Sequence, residues 1–449
     1  MKEDICIPKS NKFIGSLFRI ISIIVIFVLL GAPIFLIPRH NTIVYPDYWF
    51  EHIIYGLYLV LFFATDLLLK IHIFFKEQSL VTFQLFFKIF AWNSINFVMV
   101  YSLLYVIWVI YLGKNYPIPF MGLSVIPIAI AQLCGLWLLF PTKFLSKPDF
   151  RKKLKMLVLH MMWWTIAGVQ KDLVTIIFQN VSLYIQWLFG LVVLFMREIN
   201  KKVLTSISHK ITGGDHEKGD VLVSVNVSTH YAFFIAVALS NSHISTVICM
   251  LLLEFSLHLK MTHDLIHLQG NQVDNPTAIQ EQRQVTNKII LKLTIAELCE
   301  GIIPLAYAIA FSMMYYGPNF GILGVSIEEN EITKDVGKTY GLMLLLFTID
   351  LLSALLNTYL VNRFGRINLA DEFCRVLDNY WYFMLNALVV NILQFMTLND
   401  INWAMDWSFN FMWVTDEGRN ILIYNSTILS EEEKAKLLKN HNSLSFVFV

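Results

Sequence analysis

Long runs of apolar residues, separated by short polar segments, recur along the chain. A helix needs about 20 mostly apolar residues to cross the hydrocarbon core of a bilayer. The runs that meet this requirement are Ile20 to Ile37, Ile53 to Phe74, Ile89 to Leu112, Ile118 to Phe140, Tyr231 to Leu257, Ile289 to Tyr315, Leu342 to Leu360 and Tyr380 to Met396. The pattern predicts an all-α fold, a polytopic bundle of transmembrane helices with no large soluble domain.

One further apolar stretch, Met156 to Met196, is long enough for two crossings. Gln170, Lys171 and Asp172 interrupt its first half, so that half could instead lie in the membrane interface. One crossing in this stretch gives about nine spans in all, and two crossings give about ten. The predicted count is therefore about nine, within a range of 8 to 10.

The distribution of basic residues orients these spans, because Lys and Arg concentrate in cytoplasmic loops. Basic residues before the first span place the N-terminus inside, and the basic segment Lys143 to Lys155 is inside after four crossings. Nine crossings then place the acidic segment Glu328 to Asp335 outside and Arg363 to Arg375 inside. The same count leaves Arg197 to Lys202 outside, against the rule.

The expected organisation is a cytoplasmic tail (residues 1–19), one transmembrane domain (residues 20–397) and an interfacial C-terminal segment (residues 398–449). From Trp403 to Trp413, large apolar and polar residues alternate with period two, which favours an extended segment against the membrane. An interfacial helix is the alternative. Asn226 and Asn425 lie in N-x-S/T sequons and are candidate glycosylation sites.

Composition supports a lipid bilayer as the main partner of the chain. Hydrophobic residues make up 56% of it and charged residues 15%, with 35 Phe and 11 Trp, and a water-soluble protein could not bury so many large side chains. The net charge of +1 and the absence of a basic stripe with interleaved aromatic residues argue against nucleic-acid binding. We expect an integral, multi-pass membrane protein.

No motif indicates catalysis or a cofactor. The chain has no G-x-S-x-G, no H-E-x-x-H, no Walker A sequence and no dinucleotide fingerprint. Its five cysteines lack the short paired spacing of zinc or redox sites. We expect neither an enzyme nor a bound cofactor.

Ionisable residues within the later spans are the main functional candidates. A charge at the centre of a span costs about 2.5–3.5 kcal/mol on insertion scales, and such residues usually face the bundle interior or water. Glu254 and His258 lie one helical turn apart in an otherwise apolar run, and could form a proton or cation site. The alternative is that both lie at the inner end of the span and contact head groups.

The next two spans add further candidates. Glu297 and Glu300 lie near one helix face and are followed by Gly301 and Pro304, as in the broken helices that bind cations in transporters. The alternative is that Lys292, or an arginine from elsewhere, neutralises one of the two carboxylates. Residues in the following span form a polar stripe that predicts an ion path or interhelical hydrogen bonding: Asp350, Ser353 and Asn357.

Two pairs are secondary candidates. Asp66 and Lys70 are four residues apart on the second span, where they form an ion pair either in the interior or at the interface. His263 and His267 are also four apart and are weak metal candidates, since two histidines without a third ligand rarely form a site. Helix geometry places that pair roughly opposite Glu254.

The excess of acids over bases in the later spans favours a transporter or channel for a cation, a proton or a small solute. The main alternative is a membrane receptor or sensor with an outward-facing ligand pocket lined by aromatic residues. An intramembrane enzyme is the third hypothesis.

Overall fold

The computed structural model describes residues 10–36, 49–75, 82–111, 120–180, 185–213, 216–240, 244–270, 276–316, 329–365 and 367–402. In these ranges the chain is all-helical and forms no β-strand, which confirms the predicted class. The helices are α1 (Ser10–Leu36), α2 (Trp49–Phe74), α3 (Phe83–Tyr111), α4 (Phe120–Leu139), α5 (Thr142–Leu145), α6 (Pro148–Asn180), α7 (Gln186–Thr212), α8 (His216–Ser240), α9 (Ile244–Gly270), α10 (Pro276–Tyr315), α11 (Glu329–Phe364) and α12 (Leu369–Asn402).

All but one of the eight predicted spans lie within a single helix or extend beyond its ends by no more than two residues. The predicted span Tyr231 to Leu257 is wrong, because α8 ends at Ser240 and α9 begins at Ile244. The three residues between them, Asn-Ser-His, are all polar. The stretch from Met156 to Met196 also contributes to two helices, α6 and α7.

Three of the described helices contain a segment long and apolar enough to cross a membrane: Gly56–Phe74, Phe83–Ile107 and Gly337–Phe364. This finding rests on length and composition, and it supports a membrane protein. The predicted C-terminal segment begins inside α12, which contains residues 398–402, and the rest of it, including Trp403 to Trp413, lies outside the described residues.

The chain forms two compact units. The first unit comprises residues 1–29, 182–308 and 339–388, and the second comprises residues 30–181, 309–338 and 389–449. The first therefore contains α7, α8 and α9 with most of α10, α11 and α12. In this unit every residue of α8 from Val221 to His230 is buried, which fits a helix without a polar stripe.

In the second unit, the predicted pair of Asp66 and Lys70 is an interior ion pair. The two residues are 7% and 1% exposed, and the Lys70 ammonium donates a hydrogen bond to the Asp66 carboxylate. Lys70 Nζ also lies 5.7 Å from the centre of the Trp164 ring, a cation–π distance. The pair is therefore enclosed by protein, whichever depth in the membrane it has.

Helices α2 and α3 approach each other closely at a glycine of the second unit. A Cβ added to Gly56 would lie 1.8 Å from Cζ of Phe97, whose ring is buried. We expect Gly56→Ala to lower the thermal midpoint of the detergent-solubilised protein, because overpacking typically costs about 1–3 kcal/mol. Gly168→Ala in α6 is the matched control, since nothing lies within 4 Å of its added Cβ.

The control should keep or raise the midpoint, because alanine is the better helix former. Phe97→Leu combined with Gly56→Ala should recover part of the loss. A Gly56→Ala protein as stable as the wild type would contradict this packing.

Candidate functional site

Charged side chains from three helices of the first unit meet in one buried cluster, which we call the charge network. It consists of Arg197 on α7, Glu254 and His258 on α9, and Glu297 and Glu300 on α10. All five residues are between 3% and 8% exposed. The structure thus brings together four of the residues predicted from helix-face spacing.

His258 links the two carboxylates of α10. Its Nδ1 lies 3.0 Å from Glu297 Oε1. Its Nε2 lies 3.3 Å from Glu300 Oε2, which is within ion-pair distance, but the two atoms form no hydrogen bond in this geometry. The three-residue spacing of the two glutamates places both on the face of α10 that meets α9. A protonated imidazole can donate to both carboxylates, whereas a neutral ring can donate to only one. The position of one proton therefore changes the bonding of all three groups.

Arg197 was not among the residues predicted to form the site, because the nine-span topology places it outside the membrane. Its Nη1 lies 3.0 Å from Glu254 Oε1 and 3.7 Å from Glu300 Oε1. The alternative in which an arginine from elsewhere neutralises a carboxylate is therefore realised. Its position directly after the apolar run ending at Met196 was the available signal, since a basic residue there can turn inward.

The polar stripe of α11 contacts the same network. Asn357 Nδ2 donates to Glu297 Oε1 at 2.6 Å, and Ser353 Oγ donates to the same oxygen at 3.2 Å. Thr262 on α9 donates to Asn357 Oδ1 at 2.8 Å. Glu297 Oε1 thus accepts several hydrogen bonds, whereas Oε2 is buried without a partner among the described residues. This asymmetry leaves one oxygen free to carry a proton or to coordinate an ion.

A small cavity adjoins the network, and Asp350 of α11 faces it. Glu254, His258, Glu300 and Ser353 line the same cavity, and its volume of ≈ 10 Å³ is near the minimum for one water molecule. No side chain in the described part of the chain donates a hydrogen bond to Asp350. The site therefore holds a fourth carboxylate, and it is almost closed in this conformation.

Helix α10 passes the site without a break. The likeness to broken helices does not extend to a break, because α10 is continuous from Pro276 to Tyr315 with Pro304 inside it. Proline has no N–H, so the carbonyl of Glu300, four residues earlier, lacks its helical donor. Pro304 thus leaves one backbone carbonyl, that of Glu300, without a helical hydrogen bond beside the carboxylates.

The histidine pair of α9 lies apart from the network. The His263 side chain is 76% exposed, and its ring is stacked on that of His267 with centroids 6.2 Å apart. Within the described residues, no group of three or more His, Cys, Asp or Glu could hold a metal ion. These two histidines extend an exposed face of α9, opposite the face that carries His258.

The two sequons have different outcomes. Asn226 lies inside α8, and its side chain is 7% exposed, whereas an acceptor asparagine must be accessible to the transferase. This placement does not support glycosylation at Asn226 in the folded chain. Asn425 lies outside the described residues.

No protein-family model matches the chain, and searches of curated proteins and of solved structures find no match either.

The network geometry predicts a specific pattern of stability. Arg197→Gln leaves Glu254 and Glu300 without their cation, and removing one partner of a buried ion pair typically costs about 3–5 kcal/mol. We expect a clearly lower thermal midpoint in detergent. Arg197→Gln combined with Glu254→Gln should recover a large part of the loss, because the stranded charge is also removed.

Arg283→Gln, at an exposed position of α10, is the matched control and should behave like the wild type. If the single and double variants are equally destabilised, the pairing of Arg197 with Glu254 does not contribute as described.

Proposed function

We propose that this chain is a multi-pass membrane protein that carries protons, or a small cation exchanged for protons, through the charge network of its first unit. The observation that carries the proposal is His258, which bridges two buried glutamates while a third and a fourth carboxylate lie beside it.

The charge balance of the site favours a positively charged cargo. Four carboxylates (Glu254, Glu297, Glu300 and Asp350) adjoin the cavity or the network, against Arg197 and the titratable His258. Buried charges are costly unless they are paired, so a surplus of carboxylates favours binding of a proton or cation. An anion would be repelled from the same place.

Proton transfer fits the geometry of the bridge. His258 can accept a proton from one glutamate and release another to the second, because its two ring nitrogens face different carboxylates. Oε2 of Glu297, which has no partner among the described residues, is available to accept that proton. A proton can pass along hydrogen bonds without an open pore, so the small volume of the cavity is compatible with such a relay.

The surroundings of the network also indicate which loops share a side of the membrane. Arg19 Nε lies 2.9 Å from Asp378 Oδ1, and Arg375 Nη1 lies 2.6 Å from Glu217 Oε1. Nine crossings would place Glu217 outside and Arg375 inside, so this contact disagrees with nine. The contact therefore supports a cytoplasmic position for the link between α7 and α8.

A second contact supports the same assignment. Lys288 Nζ lies 3.3 Å from Asp220 Oδ2, so the start of α8 and the first half of α10 share a side. Two segments on one side of the membrane are separated by an even number of crossings. If α8 and α9 each cross once, two crossings separate the start of α8 from the start of α10. Residues 221–240 of α8 contain no Asp, Glu, Lys or Arg, which suits a span enclosed by other helices.

We therefore propose eleven crossings, one for each described helix of 20 residues or more. This arrangement places Arg197 to Lys202 inside, which removes the conflict with the positive-inside rule. It keeps Glu328 to Asp335 outside and Arg363 to Arg375 inside, as in the sequence-based topology.

The receptor hypothesis finds less support. It predicts an outward-facing pocket lined by aromatic residues, whereas the cavity at the network is lined mainly by carboxylates and polar groups. We retain transport as the proposal.

Proton flux in proteoliposomes tests the proposal. With a potassium diffusion potential as driving force and a pH-sensitive dye inside, Glu297→Gln, Glu300→Gln and Asp350→Asn should each reduce flux by about tenfold or more, because each removes an exchangeable proton. Asp264→Asn, on the exposed face of α9, should retain wild-type flux.

Asp350→Asn is the most informative variant, because it keeps the shape of the side chain and removes no hydrogen bond within the described residues. If this protein and both glutamine variants fold and carry wild-type flux, with protons or with sodium as the test ion, the network is structural and the proposal is wrong.

Labelling of single cysteines tests the topology. In a chain whose native cysteines are replaced, Lys210→Cys should react with a membrane-impermeant maleimide only after permeabilisation of the cells, because eleven crossings place it inside. Lys338→Cys and Arg363→Cys are controls for the outer and inner sides. Labelling of Lys210→Cys in intact cells would contradict eleven crossings.

A further inference from the structure

A second cavity in the first unit is lined mainly by basic residues and contains no residue of the charge network. It has a volume of ≈ 350 Å³, and Lys201 and Lys202 of α7 face it together with Lys288 and Lys292 of α10. This volume is at the lower end of ligand pockets, which measure about 300–1,000 Å³. We call these four residues the lysine cluster.

Helix spacing explains how the lysine cluster forms. Lys288 and Lys292 are four residues apart on α10, so they share one face of that helix. On α7, Thr205 and Ser206 lie one turn after the two lysines and line the same cavity. Two helix faces thus combine ammonium groups with hydroxyl donors around one space.

The positive charges of the cluster exceed the local negative charges. Asp220 pairs with Lys288 at 3.3 Å and with His209 at 2.9 Å. Glu198, the carboxylate in the cavity wall, lies 3.8 Å from Arg197 Nε.

The other three lysines, Lys201, Lys202 and Lys292, have no carboxylate within ion-pair distance in the described part of the chain. Like charges around a partly enclosed cavity repel one another and create a positive potential. An anion with several negative oxygens would relieve that repulsion.

We propose that this cavity binds a phosphate-bearing polyanion. Phosphate groups accept hydrogen bonds from several ammonium and hydroxyl donors at once, which matches a wall of lysines with Thr205 and Ser206. This binding proposal rests on the lining of the cavity and is independent of the transport proposal.

The proposed topology indicates where such an anion would come from. With eleven crossings, α7 reaches the lysine cluster on the cytoplasmic side, where anionic lipids are enriched and basic pockets between helices bind their head groups. A phosphorylated lipid head group and a soluble inositol phosphate share this chemistry. The experiment must therefore distinguish the two sources.

Binding to the purified full-length chain in detergent tests the site. The probes are a short-chain phosphatidylinositol bisphosphate, the corresponding soluble inositol trisphosphate and inorganic phosphate, each followed by thermal shift and by a direct binding isotherm. We expect at least one organic probe to bind, more weakly at high salt because charges are screened. Tighter binding of the lipid than of its head group identifies a lipid site, and equal binding identifies a soluble ligand.

The decisive variant is Lys202→Gln combined with Lys292→Gln, which keeps the paired Lys288 intact. It should weaken binding by about tenfold or more, because the anion loses two charged hydrogen-bond donors. Lys260→Gln combined with Arg283→Gln removes the same charge from exposed positions of α9 and α10 and should leave binding unchanged.

Two outcomes overturn the proposal: none of the three probes binds the wild-type chain, or both double variants bind as tightly as the wild type. Neither outcome depends on proton flux, so failure of this site and failure of the proposed transport remain distinguishable. A thermal midpoint of the lysine variant at or above the wild-type value without ligand confirms that the loss is not due to unfolding.

Discussion

The structure of the first unit depends on the pairing of charges that water does not reach. A carboxylate or guanidinium buried alone is severely destabilised, so each must meet a partner on another helix. Arg197 meets Glu254 and Glu300, and His258 meets Glu297 and Glu300. Because these partners come from α7, α9 and α10, the pairing fixes the rotation and the axial position of all three helices.

The same requirement explains why the site can serve both structure and function. The pairs join the helices, yet the second oxygen of Glu297 remains buried without a donor among the described residues. Asp350, in the wall of the adjoining cavity, is a further carboxylate outside these pairs. The proposed chemistry uses these two groups.

Much of the site could be predicted from spacing along single helices. The four-residue separation of Glu254 and His258 and the three-residue separation of Glu297 and Glu300 place side chains on one face, whatever the packing. The contribution of Arg197 could not be predicted in this way, because its partner Glu254 is 57 residues away and only packing joins them. The lysine cluster was missed for the same reason.

The helical class followed from composition and periodicity, whereas the helix count did not. Apolar runs show where helices lie. The polar residues between Ser240 and Ile244 are too few to lower the mean hydropathy of a span-length stretch, so they did not mark a helix boundary. The proposed sidedness of the loops also rests on contacts between distant residues. The pairing of Glu217 with Arg375 links segments 158 residues apart, and no local pattern contains that information.

The distribution of paired charges over helices also has a consequence for biosynthesis. A nascent chain enters the membrane from its N-terminus, so α7 emerges with Arg197 before Glu254 and Glu300 have been made. In the proposed topology Arg197 lies at the inner end of the α7 crossing, where an unpaired charge costs less than the ~2.5–3.5 kcal/mol of a helix centre, but this cost has no offset from a partner until α9 and α10 arrive. On that proposal, stable integration of α7 is a late, cooperative event, and truncation of the chain before α9 leaves this helix poorly retained in the bilayer.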